Sequence, residues 1–135
     1  MGSGIAQAAA VAGFAVVVRD VSEPALRRGE AAVRSSLDRL VAKEKLGTAA
    51  RETALTRLSW TSELATLADC GLVIEAIPED TALKRALWQE LDGRCPPATI
   101  FASNTSSLSI TELATATGSS ACTSSIRCRS CRWSR

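Results

Sequence analysis

The sequence predicts an α/β protein built on a parallel sheet, and two patterns along the chain support this prediction. Short apolar runs rich in valine and isoleucine, typical of buried strands, alternate with longer stretches of helical periodicity. Glycine, proline or a capping residue marks most of the boundaries between them. Strands that alternate with helices favour parallel pairing, because each crossover helix returns the chain to the same end of the sheet. The 135 residues are enough for one domain.

Boundary signals divide the N-terminal half into helices and strands. Gly13 ends a run of small helix-forming residues. Ser22 and Pro24 are suited to the N-cap and first turn of a long amphipathic helix. Gly47 separates that helix from a second one, so a helical hairpin is predicted. The predicted helices cover residues 3–12, 23–45 and 48–56, and the predicted strands cover residues 14–18 and 58–61.

The C-terminal half continues the alternation as far as about residue 117. The apolar run that ends before Pro78 is the strongest strand signal in the chain, and Asp80 is suited to cap the helix that follows. No internal repeat is visible. The predicted strands cover residues 72–77 and 99–103, and the predicted helical segments cover residues 64–68, 81–93 and 109–116.

Composition is that of a soluble globular protein, with 46% hydrophobic and 22% charged residues. No apolar run is long enough to span a membrane, and no secretion signal is visible, so a cytoplasmic location is expected. The five cysteines are an odd number, which argues against a disulfide framework. The net charge of +2 arises in the last 18 residues, which hold four arginines and no acid. Residues 1–117 are therefore expected to form the domain, and residues 118–135 an unstructured tail.

The N-terminus contains a remnant of a glycine motif. A dinucleotide-binding fingerprint reads G-x-G-x-x-G between a strand and a helix, and Gly2 fits its third glycine. The sheet's first strand is then expected to be missing. Asp20 follows the next predicted strand, where a carboxylate accepts hydrogen bonds from ribose hydroxyls and repels a 2′-phosphate. NAD is therefore predicted over NADP. The alternative is a chance glycine pair before a helix and an ordinary acid at a strand end.

Three further segments resemble the 3-hydroxyacyl-CoA dehydrogenase family: LVIEAIPEDTALK, SNTSSLSITEL and, for the bacterial 3-hydroxybutyryl-CoA members, DRLVAKEKL. The resemblance covers about residues 1–117, and NTSSL is its most specific motif. It implies an incomplete Rossmann-like parallel sheet that lacks its first strand and has a long helical hairpin after the second. It also implies a cofactor domain for NAD and an acyl-CoA substrate.

The resemblance assigns cofactor roles to several residues. Glu79 and Lys84 match family positions that line the NAD site, and Asn104 matches a position beside the nicotinamide. Gly2 and Asp20 complete the predicted cofactor set. Without the family context, Lys84 reads as an ordinary solvated lysine and Asn104 as a turn residue.

The resemblance also assigns substrate-binding and catalytic roles. Ser36 and Lys43 match positions that contact coenzyme A, and Ser106 matches a serine near the substrate's 3-oxygen and the catalytic histidine. Family members oxidise 3-hydroxyacyl-CoA by hydride transfer to NAD, with a histidine as base and a glutamate as its partner. The 135 residues contain no histidine, so this chain is expected to be inactive. The family dimerises through a C-terminal domain that is expected to be absent, and no nucleic-acid or membrane partner is predicted.

The tail suggests a change of reading frame. Suitable codons for residues 123–135, shifted by one nucleotide, encode HFFNPVPVMPVVE, the segment that carries the family's histidine and glutamate. On this interpretation, Thr123 and Arg135 stand in place of that dyad. Two alternatives remain open: a residual module that binds NAD or coenzyme A, or a small metal- or polyanion-binding protein that uses the tail's cysteines and arginines. Three tail cysteines without histidine fall short of the four ligands of structural zinc.

Overall fold

A computed structural model of the chain describes residues 2–103. The chain divides into two compact units, residues 1–66 and residues 67–135, and the described part of the second ends at residue 103. Each unit contributes one pair of parallel strands with its helices, which confirms the α/β class and the parallel pairing. The predicted helix over 109–116 and the predicted tail lie outside the described residues.

The first unit contains three helices and one strand pair, as predicted. Strands β1 and β2 pair in parallel, with Val16 opposite Leu58. Helices α2 and α3 form the predicted hairpin, and the Arg51 guanidinium on α3 lies 2.6 Å from the Asp38 carboxylate on α2. The elements are α1 (Gly2–Val11), β1 (Val16–Arg19), α2 (Glu23–Ala42), α3 (Thr48–Thr56) and β2 (Leu58–Thr61).

Strand β1 begins two residues later than the apolar run predicts. The amide of Gly13 donates to the carbonyl of Ala10, and the amide of Phe14 donates to the carbonyl of Ala9, which is the Schellman pattern of a helix end. Gly13 has φ +105°, in the region that favours glycine. Phe14 is consequently part of the helix end and is 66% exposed.

A second Schellman motif ends α2 earlier than predicted. The amide of Lys45 donates to the carbonyl of Leu40, and that of Glu44 donates to the carbonyl of Val41. Glu44 occupies the left-handed position with φ +54°, where Gly13 stands in the first motif. An L-residue with a Cβ is disfavoured in this conformation by roughly 1–2 kcal/mol.

The two motifs predict opposite effects of glycine and alanine. Glu44→Gly is expected to raise the free energy of unfolding by about 1 kcal/mol, because it removes the left-handed penalty. Gly13→Ala is expected to lower it by about 1–2 kcal/mol for the converse reason. Urea unfolding followed by circular dichroism measures both. A Glu44→Ala control separates the backbone effect from loss of the side chain, and equal effects of glycine and alanine at residue 44 would contradict the prediction.

The core of the first unit lies between the three helices and the strand pair. Val33 and Leu37 of α2 are almost fully buried with small residues from the neighbouring helices, Ala10 of α1 and Ala54 of α3. The small side chains allow the helix backbones to approach closely. Partly buried apolar side chains surround this cluster: Val16, Leu40, Leu46, Leu55, Leu58 and Trp60.

The second unit contains β3 (Leu72–Glu75), α4 (Thr81–Asp92) and β4 (Ile100–Ser103), preceded by a 3₁₀ turn at Leu64–Leu67 that crosses the boundary between the units. Strands β3 and β4 pair in parallel. β3 is two residues shorter than predicted. β4 begins one residue late because the Thr99 amide bonds the Pro96 carbonyl instead.

Helix α4 covers one face of the second strand pair. The ring of Trp88 on α4 meets the ring of Phe101 on β4 edge to face, with centroids 5.2 Å apart. Leu72, Ile74 and Ile100 remain exposed. Between residues 2 and 103, no helix is both long and apolar enough to cross a membrane.

Candidate cofactor site

Asp20 lies at the carboxyl end of β1, where the sequence predicts a contact with the cofactor's ribose. Its amide extends the strand pairing by donating to the carbonyl of Thr61 at 3.2 Å. Its Oδ1 accepts a hydrogen bond from the Ser22 amide at 2.9 Å. Ser22 in turn caps α2, because its Oγ accepts from the Ala25 amide. The half-buried carboxylate is thus held by the strand and the following helix, and a carboxylate has further acceptor sites for hydroxyl groups.

Helix α1 begins at Gly2, and its first turn carries no acidic side chain. Unpaired amides and the helix dipole make such an N-terminus favourable for a phosphate. Apart from its chain neighbours and the helix's own backbone, no heavy atom lies within 4 Å of where a Cβ on Gly4 would stand, so this first turn is open. The first unit therefore carries a phosphate-compatible helix start and a ribose-compatible acid on consecutive elements.

The predicted coenzyme A contacts lie on α2. Ser36 is half-buried, while Lys43 is exposed and forms the C-cap of the helix. Their spacing corresponds to about two helical turns, so both belong to one side of α2. The contact of either residue with coenzyme A stays a prediction.

A buried carboxylate organises the second unit. Glu75 ends β3 with its side chain fully buried, and its Oε2 lies 3.2 Å from Nζ of Lys84 on α4. The same Oε2 accepts a hydrogen bond from Oγ of Ser103 at 2.6 Å. Oε1 accepts a hydrogen bond from the Ile77 amide at 2.8 Å. Because this amide bonds the side chain, it is not available for strand pairing, and β3 ends at Glu75. The Glu75 carboxylate, the Lys84 ammonium and the Ser103 hydroxyl therefore form one hydrogen-bonded group at the carboxyl ends of β3 and β4.

The two described cofactor residues predicted in the second unit, Lys84 and Glu79, differ in their exposure to solvent. Lys84 is 1% exposed and its ammonium is engaged by Glu75, whereas Glu79 is exposed on the turn that precedes α4. The NAD contacts of both stay predictions. Asn104 and Ser106 lie outside the described residues.

The sequence analysis assigned no role to Glu75 or Ser103, although their side chains bond to each other in the buried group around Lys84. The signal available was an acid at the end of the apolar run LVIE, at a position that alternation assigns to the same face as Val73.

The thiol of Cys95 lies in the second unit and is partly buried. Its Sγ donates a weak hydrogen bond to the Leu67 carbonyl at 3.6 Å. Burial, reinforced by Cys70 and Asp92, raises the pKa of the Cys95 thiol. A protonated thiol is a poor nucleophile and a poor metal ligand. Within residues 2–103, no group of three or more histidine, cysteine or acidic side chains could hold a metal ion.

The order of helix α1, strand β1 and the acid at its carboxyl end is that of the dinucleotide-binding α/β proteins, and this chain is one of them. Comparison with protein families narrows the class. The chain belongs to the family described as "3-hydroxyacyl-CoA dehydrogenase, NAD binding domain", whose model matches residues 1–124. The family resemblance, the Rossmann-like fold and NAD as the cofactor, all predicted from the sequence, are thereby confirmed.

Individual relatives agree with this family. The chain is 49% identical over 118 residues to a Deinococcus radiodurans protein named "Probable 3-hydroxybutyryl-CoA dehydrogenase". The aligned region covers 87% of this chain and 42% of the relative. The solved (S)-3-hydroxybutyryl-CoA dehydrogenase PaaH1 of Ralstonia eutropha superposes with a TM-score of 0.83 at 47% identity, over 87% of this chain and 41% of that one. FadB2 of Mycobacterium tuberculosis gives a TM-score of 0.84 at 41% identity, over 86% and 41%. The chain thus spans about two fifths of these relatives' length.

Proposed function

We propose that this chain supplies the NAD-binding part of a 3-hydroxyacyl-CoA dehydrogenase that acts on short acyl-CoA thioesters, in the cytoplasm. The observation that carries the proposal is Asp20, fixed at the carboxyl end of β1 by Thr61 and by the Ser22 amide. A rigid carboxylate at this position suits the two adjacent hydroxyls of an adenosine ribose. The relatives named as 3-hydroxybutyryl-CoA dehydrogenases support the substrate class.

Each predicted residue has a separate task in this proposal. Asp20 accepts hydrogen bonds from the ribose, and the open first turn at Gly2 faces the pyrophosphate. The family resemblance also assigns Glu79 and Lys84 to the cofactor, and Asn104 to its nicotinamide. NAD, when bound, supplies the hydride acceptor for C3 of the substrate.

The substrate residues form a second group. Lys43 offers a mobile positive charge to a phosphate of coenzyme A, and Ser36, about two turns earlier on α2, offers a hydroxyl. Ser106 donates or accepts a hydrogen bond at the substrate's 3-oxygen. Proton transfer at that oxygen has no imidazole among these 135 residues. The proposal for these 135 residues is therefore binding without turnover.

Titration with NADH tests the proposal through Asp20. Asp20→Ala is expected to weaken NADH binding by about tenfold to a hundredfold, because it removes hydrogen bonds to a charged acceptor worth roughly 1.5–3 kcal/mol. NADPH is expected to bind the unaltered chain more weakly than NADH and to be affected less by the substitution, because its 2′-phosphate is repelled by the carboxylate. Fluorescence or calorimetric titration measures both ligands.

The matched control is Asp69→Ala, which removes an exposed acid from the second unit. Equal loss of NADH affinity in both variants would contradict the role of Asp20, and absence of NADH binding by the unaltered chain would refute the proposed function. Addition of acetoacetyl-CoA to the NADH-loaded chain is expected to leave the NADH absorbance unchanged.

A further inference from the structure

Two cysteines of the second unit approach one backbone oxygen. The Leu67 carbonyl accepts a hydrogen bond from the Cys70 amide at 3.1 Å and a weaker one from the Cys95 thiol, whose Sγ lies 3.6 Å away. The Cys95 side chain is therefore directed at the turn that ends in Cys70, although α4 lies between the two cysteines in the sequence. Both thiols are free and partly buried.

Further hydrogen bonds join the segments that carry these two cysteines. The Thr99 hydroxyl donates to the Cys70 carbonyl at 3.0 Å, and the Ile100 amide donates to the Gly71 carbonyl at 3.0 Å. The Cys95 amide donates to the last turn of α4 at 2.8 Å. The backbones of both cysteines are therefore fixed in the same part of the unit, where α4 ends and the chain enters β3.

The two thiols also interact electrostatically. Burial is the main cause that raises the pKa of the Cys95 thiol, and the negative charge of a Cys70 thiolate raises it further. This second contribution depends on the short separation of the two sulfurs, because repulsion between like charges falls with distance. A covalent bond between the sulfurs removes this repulsion.

We propose that Cys70 and Cys95 are a reversible disulfide pair, a modification site whose oxidant is a low-molecular-weight disulfide such as oxidised glutathione. The odd number of cysteines argues against a permanent disulfide framework, but a reversible pair does not require one. The inference is independent of the proposed function, because neither cysteine belongs to the predicted cofactor or substrate residues.

The bond forms in two exchange steps. The Cys70 thiolate attacks one sulfur of oxidised glutathione, and one glutathione thiolate leaves. Cys95 then gives its proton to solvent and attacks the Cys70 sulfur of the mixed disulfide, and the second glutathione thiolate leaves. The two cysteines lose two protons and two electrons, which convert one oxidised glutathione into two glutathione thiols. The first attack is assigned to Cys70, because the Cys95 thiol stays protonated at neutral pH.

The bond closes a loop that contains β3 and α4, so it is expected to stabilise the second unit. Closure of a loop of about 25 residues restricts the unfolded chain and is expected to raise the urea midpoint of this unit by about 1–2 M. Trp88 fluorescence reports the midpoint when Trp60 and Trp133 are replaced by phenylalanine. Dithiothreitol is expected to return the midpoint to that of the reduced chain.

Mass spectrometry of the full chain tests whether the bond forms. Serine replaces the three other cysteines, so that Cys70 and Cys95 are the only thiols: Cys122→Ser, Cys128→Ser and Cys131→Ser. After incubation with oxidised glutathione and alkylation, the chain is expected to have lost two hydrogens and to carry neither glutathione nor an alkyl label. Cys70→Ser and Cys95→Ser in the same background are the matched controls. Each is expected to stop at one glutathione adduct, because no second thiol can displace it.

The same reaction in concentrated urea separates a folded site from two thiols on a flexible chain. The equilibrium constant for closing the bond against glutathione is expected to be at least about tenfold larger in buffer, because the fold holds the cysteines together. Equal constants in buffer and urea overturn the inference. So does a chain that carries two glutathione adducts, keeps both thiols free, or forms the bond between two molecules.

Discussion

Replacement of Lys84 by methionine is expected to destabilise the second unit by about 3–5 kcal/mol. Methionine fills most of the same volume, so the cost is electrostatic rather than a cavity. The substitution leaves Glu75 with a fully buried side chain and without its positive partner, and an uncompensated buried charge is strongly unfavourable. Loss of this lysine is therefore expected to cost about as much as loss of a core leucine.

Two further variants establish the cause of this effect. In Glu75→Gln/Lys84→Met the charge is removed from both sides, while the glutamine oxygen still accepts a hydrogen bond; this double variant is expected to be more stable than Lys84→Met alone. Arg85→Met alters an exposed basic residue on α4 and is expected to change stability by less than about 0.5 kcal/mol. If the double variant proved as unstable as Lys84→Met, the loss would have to be attributed to packing.

Urea unfolding with a tryptophan reporter makes the measurement specific to the second unit. Trp88 lies on α4 and contacts Phe101, so its fluorescence reports on that unit. A Trp60→Phe/Trp133→Phe background leaves Trp88 as the sole tryptophan, since the chain has three. All variants and controls are compared in this background.

Replacement of Leu37 by alanine is expected to destabilise the first unit by about 2–5 kcal/mol. Leu37 is 0% exposed in the cluster with Ala10, Val33 and Ala54. Ala10 and Ala54 are too small to fill the vacated space, so the cost combines lost burial with a residual cavity. The upper half of the range is therefore expected.

The control for this second prediction is Val21→Ala in the same unit, where the valine is 77% exposed and the expected loss is below about 1 kcal/mol. Trp60 on β2 packs against the Leu37 cluster and serves as the reporter of the first unit in a Trp88→Phe/Trp133→Phe background. A loss below about 1 kcal/mol for Leu37→Ala would show that the cluster repacks, and that the first unit is less rigid than its burial indicates.

Local signals were sufficient for most of the fold. The bounds of α3 and β2 agree with the sequence-based prediction, and Ser22 and Asp80 cap the helices that they were predicted to cap. These features depend on contacts between residues two to four positions apart, which the sequence displays directly. The start of β1 was missed although it is also local, because Phe14 was assigned to the strand, whereas its amide completes the end of α1.

The sequence by itself determined the α/β class, the helical hairpin, the family and NAD as the cofactor, because periodicity, capping residues and the NTSSL motif lie in continuous segments. Only the tertiary structure decided that Lys84 is buried against Glu75 and that Ser103 binds the same carboxylate. Ser103 and Glu75 are 28 positions apart and come together only through the register of β3 and β4. The burial of Lys84 follows from the packing of α4, and the bond of Ser103 to Glu75 follows from the strand register. Neither can be predicted from the residues adjacent in sequence.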